Sequence, residues 1–284
     1  MKRHDLYNAS VLTAVFALSL TSCVKDELFD TPHPDKGAVV VTADFSDRSA
    51  ACPCPVEYRL AIWGEECVAT AEKAFCHPVL FTPRTYWIEA RNDCNGMTAQ
   101  GKTIRVNAVG TDGIESLPGY LFTARREIQV IEDDTLRVNL PMVQRTRDLH
   151  LALTLTEGAP ELVRSVTGRL EGVAGAFDLN SQRITGNATS TRMTFSRNGN
   201  LITADLRLLG ILGNAQTLNL EVAFTDRTGT QTIMTDLTEA MSAFNGKMSV
   251  GFEVTGELAT PAGAEANATI TGWNDIEGTP ADAV

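Results

Sequence analysis

The run Leu149-His150-Leu151-Ala152-Leu153-Thr154-Leu155-Thr156 puts a leucine at every odd position and sets His150, Thr154 and Thr156 on the other side. A period of two belongs to an extended strand with one face in a core and one toward water. The pattern recurs along the chain. Leu218, Leu220, Val222 and Phe224 alternate with Asn219, Glu221, Ala223 and Thr225, and Val250, Phe252 and Val254 repeat it. So do Leu136, Val138 and Leu140, and Val39, Val41 and Phe45. Turn chemistry sits between these runs: Asn198-Gly199 and the segment Arg227–Gly229 both predict tight hairpins. Strands at this spacing, joined by hairpins, predict an all-β fold of antiparallel sandwiches.

Helix signals are few. Asp236 followed by Glu239 predicts a capped start, Leu237, Ala240, Met241 and Phe244 would share one face, and Asn245-Gly246 offers a stop. A second short turn is expected over Pro160–Val163. The strand ending at Leu140 meets Pro141, which cannot donate into a ladder, and the polar run Gln144-Arg145-Thr146-Arg147 follows before the leucine ladder opens. A boundary is therefore expected there.

At the N-terminus, Lys2, Arg3 and His4 precede the apolar stretch Val11–Leu20. That stretch is too short for a bilayer core of about 30 Å, which needs roughly 20 residues, and suits a cleavable signal peptide. Leu20-Thr21-Ser22-Cys23 resembles the lipobox of bacterial lipoproteins, which implies cleavage before Cys23 and acylation of that cysteine. Each buried acyl methylene contributes about 0.8 kcal/mol, so two or three chains hold a protein to a membrane durably. Val24-Lys25-Asp26-Glu27 is similar to a lysine-plus-acidic export signal of Bacteroidetes lipoproteins, which implies the outer face of the outer membrane. The prolines of Thr31–Gly37 make an extended spacer. The expected organisation is a signal peptide at 1–22, a lipidated tether at 23–36, sandwiches at 37–143 and 144–275, and a tail at 276–284.

A formal charge of −11 argues against nucleic acid and anionic lipid as partners, and 43% apolar residues suffice for a proper core. Beyond Cys23, the cysteines are Cys52, Cys54, Cys67, Cys76 and Cys94, all in the first half. An exported protein meets an oxidising compartment, so these are disulfide candidates, with one thiol left over. A metal site built from Cys76, His77 and the Cys52/Cys54 pair is the sharper alternative, but the spacing lacks two close pairs and no metal is expected. No nucleophile elbow, zinc-protease helix, phosphate loop or dinucleotide fingerprint occurs, so no catalytic residue, cofactor or small-molecule substrate is expected. His77 reads as a loop residue, His150 as a polar-face residue, and the pairs Glu65-Glu66 and Asp133-Asp134 as solvated acids.

Several segments together resemble fimbrial subunit and anchor lipoproteins of Bacteroidales. They are Glu27–Thr42 (ELFDTPHPDKGAVVVT), Pro118–Phe122 (PGYLF), Asp133–Met142 (DDTLRVNLPM), Leu208–Ile211 (LLGI), Phe252–Gly256 (FEVTG) and Ala268–Trp273 (ATITGW). The resemblance implies two tandem transthyretin-like β-sandwich domains with one or two short helices, and assembly by strands passed between subunits. It makes other fimbrial subunits the partners and the outer membrane the site of lipid attachment. It also makes Ala268, Ile270 and Trp273 strand-exchange candidates. The five cysteines of the first half depart from the family pattern. Asp134-Thr135-Leu136 is similar to a Bacteroidetes O-glycosylation motif, which marks Thr135. A glycan-binding surface lipoprotein is the alternative function. Exposed aromatics would favour it, although aromatics are only 6% of residues.

Overall fold

The structure is a computed structural model and describes residues 35–111, 113–225, 230–261 and 268–277. The signal peptide, Cys23, most of the tether, the turn at 227–229 and the tail beyond 277 lie outside the described residues. In the first half the strands are β1 (Ala38–Asp44), β2 (Glu57–Ile62), β3 (Glu65–Thr70), β4 (Phe75–Cys76), β5 (Arg84–Arg91) and β6 (Met97–Gln100). They continue with β7 (Thr103–Val106), β8 (Ala108–Val109), β9 (Gly113–Ile114), β10 (Phe122–Val130), β11 (Thr135–Pro141) and β12 (Val143–Gln144). The second half supplies β13 (Arg147–Thr156), β14 (Val163–Asp178), β15 (Arg183–Thr194), β16 (Ser196–Asn198) and β17 (Leu201–Leu208). It ends with β18 (Thr217–Phe224), β19 (Thr230–Asp236), β20 (Phe252–Ala259) and β21 (Thr269–Glu277).

The leucine ladder is β13, the central strand of a sheet ordered β16-β17-β13-β20-β21. Leu149, Leu151, Leu153 and Leu155 are all buried, as the alternation requires. They meet Val166, Leu170, Leu218, Leu220, Val222 and Phe224 from a facing sheet that runs β19-β18-β14-β15-β9-β8. Burying one such side chain contributes roughly 1.5–3 kcal/mol, so this core is the larger store of stability. The first core lies between the sheets β11-β1-β4 and β12-β10-β5-β2-β3, with Val39, Val41, Val138 and Leu140 facing Tyr58, Leu60, Ile62 and Ile88.

Antiparallel pairing dominates, but β1 runs parallel to β11 and β13 parallel to β20. Each half thus opens with a strand that pairs with a late one, a long-range pairing that alternation alone does not show. The turn at Asp133-Asp134 does not close a hairpin, because β11 leaves β10 and pairs with β1 in the other sheet. The hairpin expected at Asn198-Gly199 forms with its turn one residue later: Asn198 pairs with Leu201, and Gly199, at φ 61, and Asn200 are the turn residues.

The two halves share strands. The hairpin β6–β7 adds to β14, with Arg105 opposite Ala176 and Ile104 opposite Phe177. A third, smaller core of Ile104, Val106, Leu121, Ala174, Phe177, Leu179 and Leu209 fills the junction.

At the expected boundary the polar run 144–147 is built into the structure: Gln144, Thr146 and Arg147 are buried. Gln144 accepts the Ser49 N–H at 2.9 Å and donates to the Met248 carbonyl at 3.0 Å, joining both halves. The helix expected after Asp236 is a string of tight turns. It has one bond of helical span, Met241 N–H to Leu237 at 2.9 Å, followed by shorter-span bonds such as Phe244 N–H to Met241 at 2.9 Å. Its carbonyls at Ala243 and Phe244 face the Arg147 guanidinium instead. The second short turn is a single 3-10 turn at Pro160–Leu162.

Candidate functional site: two sheet edges and an exposed tryptophan

β21 carries the strand-exchange candidates and pairs on one side only, with β20. Ala268, just ahead of it, is buried, while Ile270 and Trp273 pack against the larger core. The Trp273 ring lies on Gly256, where an added Cβ would sit 2.9 Å from a ring carbon. Glycine is needed there for close approach, and a register shift falls at the same point of the ladder. Trp273 Nε1 donates to Thr235 Oγ1 on β19 at 2.8 Å. Gln231, also on β19, accepts from the Ala268 N–H at 3.2 Å and donates to its carbonyl at 3.4 Å. The edges of two different sheets therefore lie side by side, joined by side chains and not by a ladder. Such an edge presents unpaired backbone groups to a partner strand.

The second exposed feature was not legible as exposed. Trp63 and Gly64 form the tip of the β2–β3 hairpin, with φ of 52 and 86. Trp63 stands 68% exposed, with the Arg84 guanidinium 4.0 Å over its ring. Trp87 is 46% exposed on the outer side of β5, with Arg125 4.1 Å over it. The signal was present: two alternating runs separated by two residues ending in glycine demand a turn, and a turn tip faces solvent.

The five cysteines all carry free thiols, so the expected disulfides do not form in this structure. Cys54 and Cys94 line one open cleft of ≈ 840 Å³ together with Tyr120 and Arg207. Cys52 is buried beside it, and burial pushes its pKa up to about 11, as it does for Cys94. Cys67 lies on β3 and Cys76 on β4. Among the described residues, no three His, Cys, Asp or Glu side chains converge as a metal site. His77 is buried, its Nδ1 accepting the Val79 N–H at 3.1 Å, and burial lowers its pKa. His150 bonds Asp205 at 2.6 Å on the polar side of β13. Glu66 pairs with Arg59 at 3.1 Å. Thr135 begins β11, half-buried, its N–H bonded to the Asp134 carboxylate at 2.7 Å. No described helix is long and apolar enough to cross a membrane.

Comparison with known proteins places these features. The pattern of the family described as Fimbrillin-A associated anchor proteins Mfa1 and Mfa2 matches residues 49–277. No curated protein matches the sequence. Among solved structures, the fimbrial anchor protein Mfa2 of Porphyromonas gingivalis superposes with a TM-score of 0.58 at 14% identity, covering 84% of this chain and 97% of its own. A candidate adhesin of Bacteroides thetaiotaomicron gives 0.58 at 10% identity, covering 88% and 100%. A candidate adhesin of Bacteroides ovatus gives 0.57 at 16%, covering 77% and 88%. At these identities the structures speak to the fold.

Proposed function

We propose a function from one premise: the chain belongs to the family of fimbrillin-A associated anchor proteins, whose pattern spans residues 49–277. It is thus a non-catalytic, surface-associated protein of the fimbrial systems of Bacteroidales. Within that family its role is to tie fimbriae to the cell, as an anchor or minor subunit. Acyl chains on Cys23 hold it in the outer membrane, and pilin subunits bind it by β-strand complementation.

The observation that supports this binding mode is the seam between β19 and β21. A few side-chain bonds from Gln231 and Trp273 hold it, and an incoming strand would replace them with a row of main-chain bonds while its alternate side chains fill pockets. Ala268, Ile270 and Trp273 are the side chains such an exchange would displace or donate. Thr135, exposed in part at the open edge of β11, stays a candidate for O-glycosylation; an intact mass without a sugar increment would remove it.

The test is a crosslinked pull-down of the full-length lipoprotein from intact cells, read by mass spectrometry. Pilins recovered with the whole chain and lost on deleting residues 268–284 support the reading. Recovery unchanged by the deletion places the joint elsewhere. A second reading, glycan binding, is favoured by the exposed Trp87, since an exposed aromatic ring can stack on a sugar. Glycan-array binding without pilin recovery would put it first.

A further inference from the structure

The chain enters its fold at Gly37, and an exposed amphipathic cluster surrounds that point. Gly37 and Phe81 exchange two backbone bonds of 2.8 and 2.9 Å. The Phe81 ring meets Tyr86 at 5.2 Å, and Tyr86 meets Trp63 at 6.1 Å. Arg84 covers both, 4.0 Å from Trp63 and 4.7 Å from Tyr86. On the other flank, the Ile131 carbonyl lies against Gly37, where a Cβ would come within 2.2 Å of it. Ile131 is 56% exposed and Val79, in the loop leading to Phe81, 37%.

Folding does not explain the tryptophan. This two-residue tip has positive φ at both positions, a geometry in which asparagine or aspartate is the usual first residue. A bulky side chain enters that region rarely. Here it does so at φ 52 and keeps most of its ring in water. Tryptophan is favoured at membrane–water boundaries, where its apolar ring and its polar N–H face different media, and Arg84 adds a polar rim beside it here.

We propose that this end of the fold rests on the lipid surface that holds the anchor, with Trp63, Ile131 and Val79 seated at headgroup depth. The proposal rests on the reading that Cys23 is acylated. Residues 23–36 reach about 50 Å at most if fully extended. The tether therefore keeps the cluster within about 50 Å of the bilayer, an effective concentration at which weak insertion is enough to dock it. Asp35, Glu65, Glu132, Asp133 and Asp134 are exposed nearby and outnumber Lys36 and Arg84. The surface it fits is zwitterionic phospholipid; anionic lipid would weaken the contact.

The experiment uses the full-length lipidated protein and its Trp63→Phe variant in phosphatidylcholine vesicles, with and without brominated lipid. The chain has 3 tryptophans. The wild type is expected to lose the share of emission due to one of them in brominated vesicles, and the variant to lose none. Adding phosphatidylglycerol should reduce the quenching. Co-flotation with vesicles but no loss of wild-type emission in brominated lipid overturns docking while leaving the anchor intact; a partner protein or a sugar is then what Trp63 meets. Failure to co-float overturns the anchor, and docking with it.

Discussion

The Nε of Arg147 donates to the carbonyl of Val250 at 2.7 Å, and the same guanidinium reaches the carbonyls of Ala243 at 3.0 Å and Phe244 at 2.7 Å. Its charge lies over the rings of Phe252 at 4.7 Å and Phe244 at 5.5 Å. The side chain is fully buried. A buried cation is costly unless its donors are satisfied. Here it organises residues 237–250, whose carbonyls turn to the guanidinium and whose aromatic rings wrap it.

Replacing Arg147 with methionine should therefore destabilise more than its volume suggests. Each carbonyl left without a donor costs about 1–3 kcal/mol, so the expected loss is about 3 kcal/mol or more in urea unfolding. Arg147→Lys should recover only part of it, because an ammonium lacks the planar fork. A loss below about 1 kcal/mol for methionine would show that the turns hold themselves.

His77 sets a pH dependence. Burial holds its imidazole below the 6.5 of an exposed histidine. As pH falls through 6.5 the unfolded chain takes up a proton that the folded chain refuses, so this contribution is whole above that value and drains away below it. Asp44, held low by the Ser46 N–H, and Asp47, held low by Lys247, start from 3.8 and act in a separate, more acid window. Urea unfolding at about pH 7.5 and pH 5 should show the wild type losing stability, and His77→Asn losing less. Equal losses would remove His77 from the account.

What the sequence could say about the fold followed from period. The odd-numbered leucines of β13 and the hairpin at Asn198-Gly199 need only local chemistry, and both are found, the hairpin with its turn one residue later. Parallel pairing of β1 with β11 depends on which distant strand arrives, and no local pattern encodes it. The burial of the run 144–147 was not legible for a related reason: polarity marks a need for partners, and at a junction protein atoms meet that need in place of water. Leu237, Met241 and Phe244 do have helical spacing and are buried, but Arg147 competes for the carbonyls. Of the candidate site, the late strand with Trp273 was legible, while its closeness to Thr235 on another sheet was not.

Thiol reactivity should follow burial. Cys54 and Cys76 are exposed and should alkylate quickly in the native protein. Cys52, buried and with its pKa pushed to about 11, should react only on unfolding, and Cys94, half-buried with the same shift, should react slowly. Native alkylation read by peptide mass spectrometry decides it. Labelling of Cys52 as fast as that of Cys54 would mean that the wall between Cys52 and the cleft opens readily.

The measurement that bears most directly on the central claim separates the fold from its lipid in living cells. Residues 1–23 are replaced by an ordinary cleavable signal, so that the chain is exported without acylation, and pilin is quantified in cells and in medium. The account predicts that pilin moves to the medium together with the unlipidated chain. Pilin that stays on the cells in full, with the chain free in the medium, would contradict it.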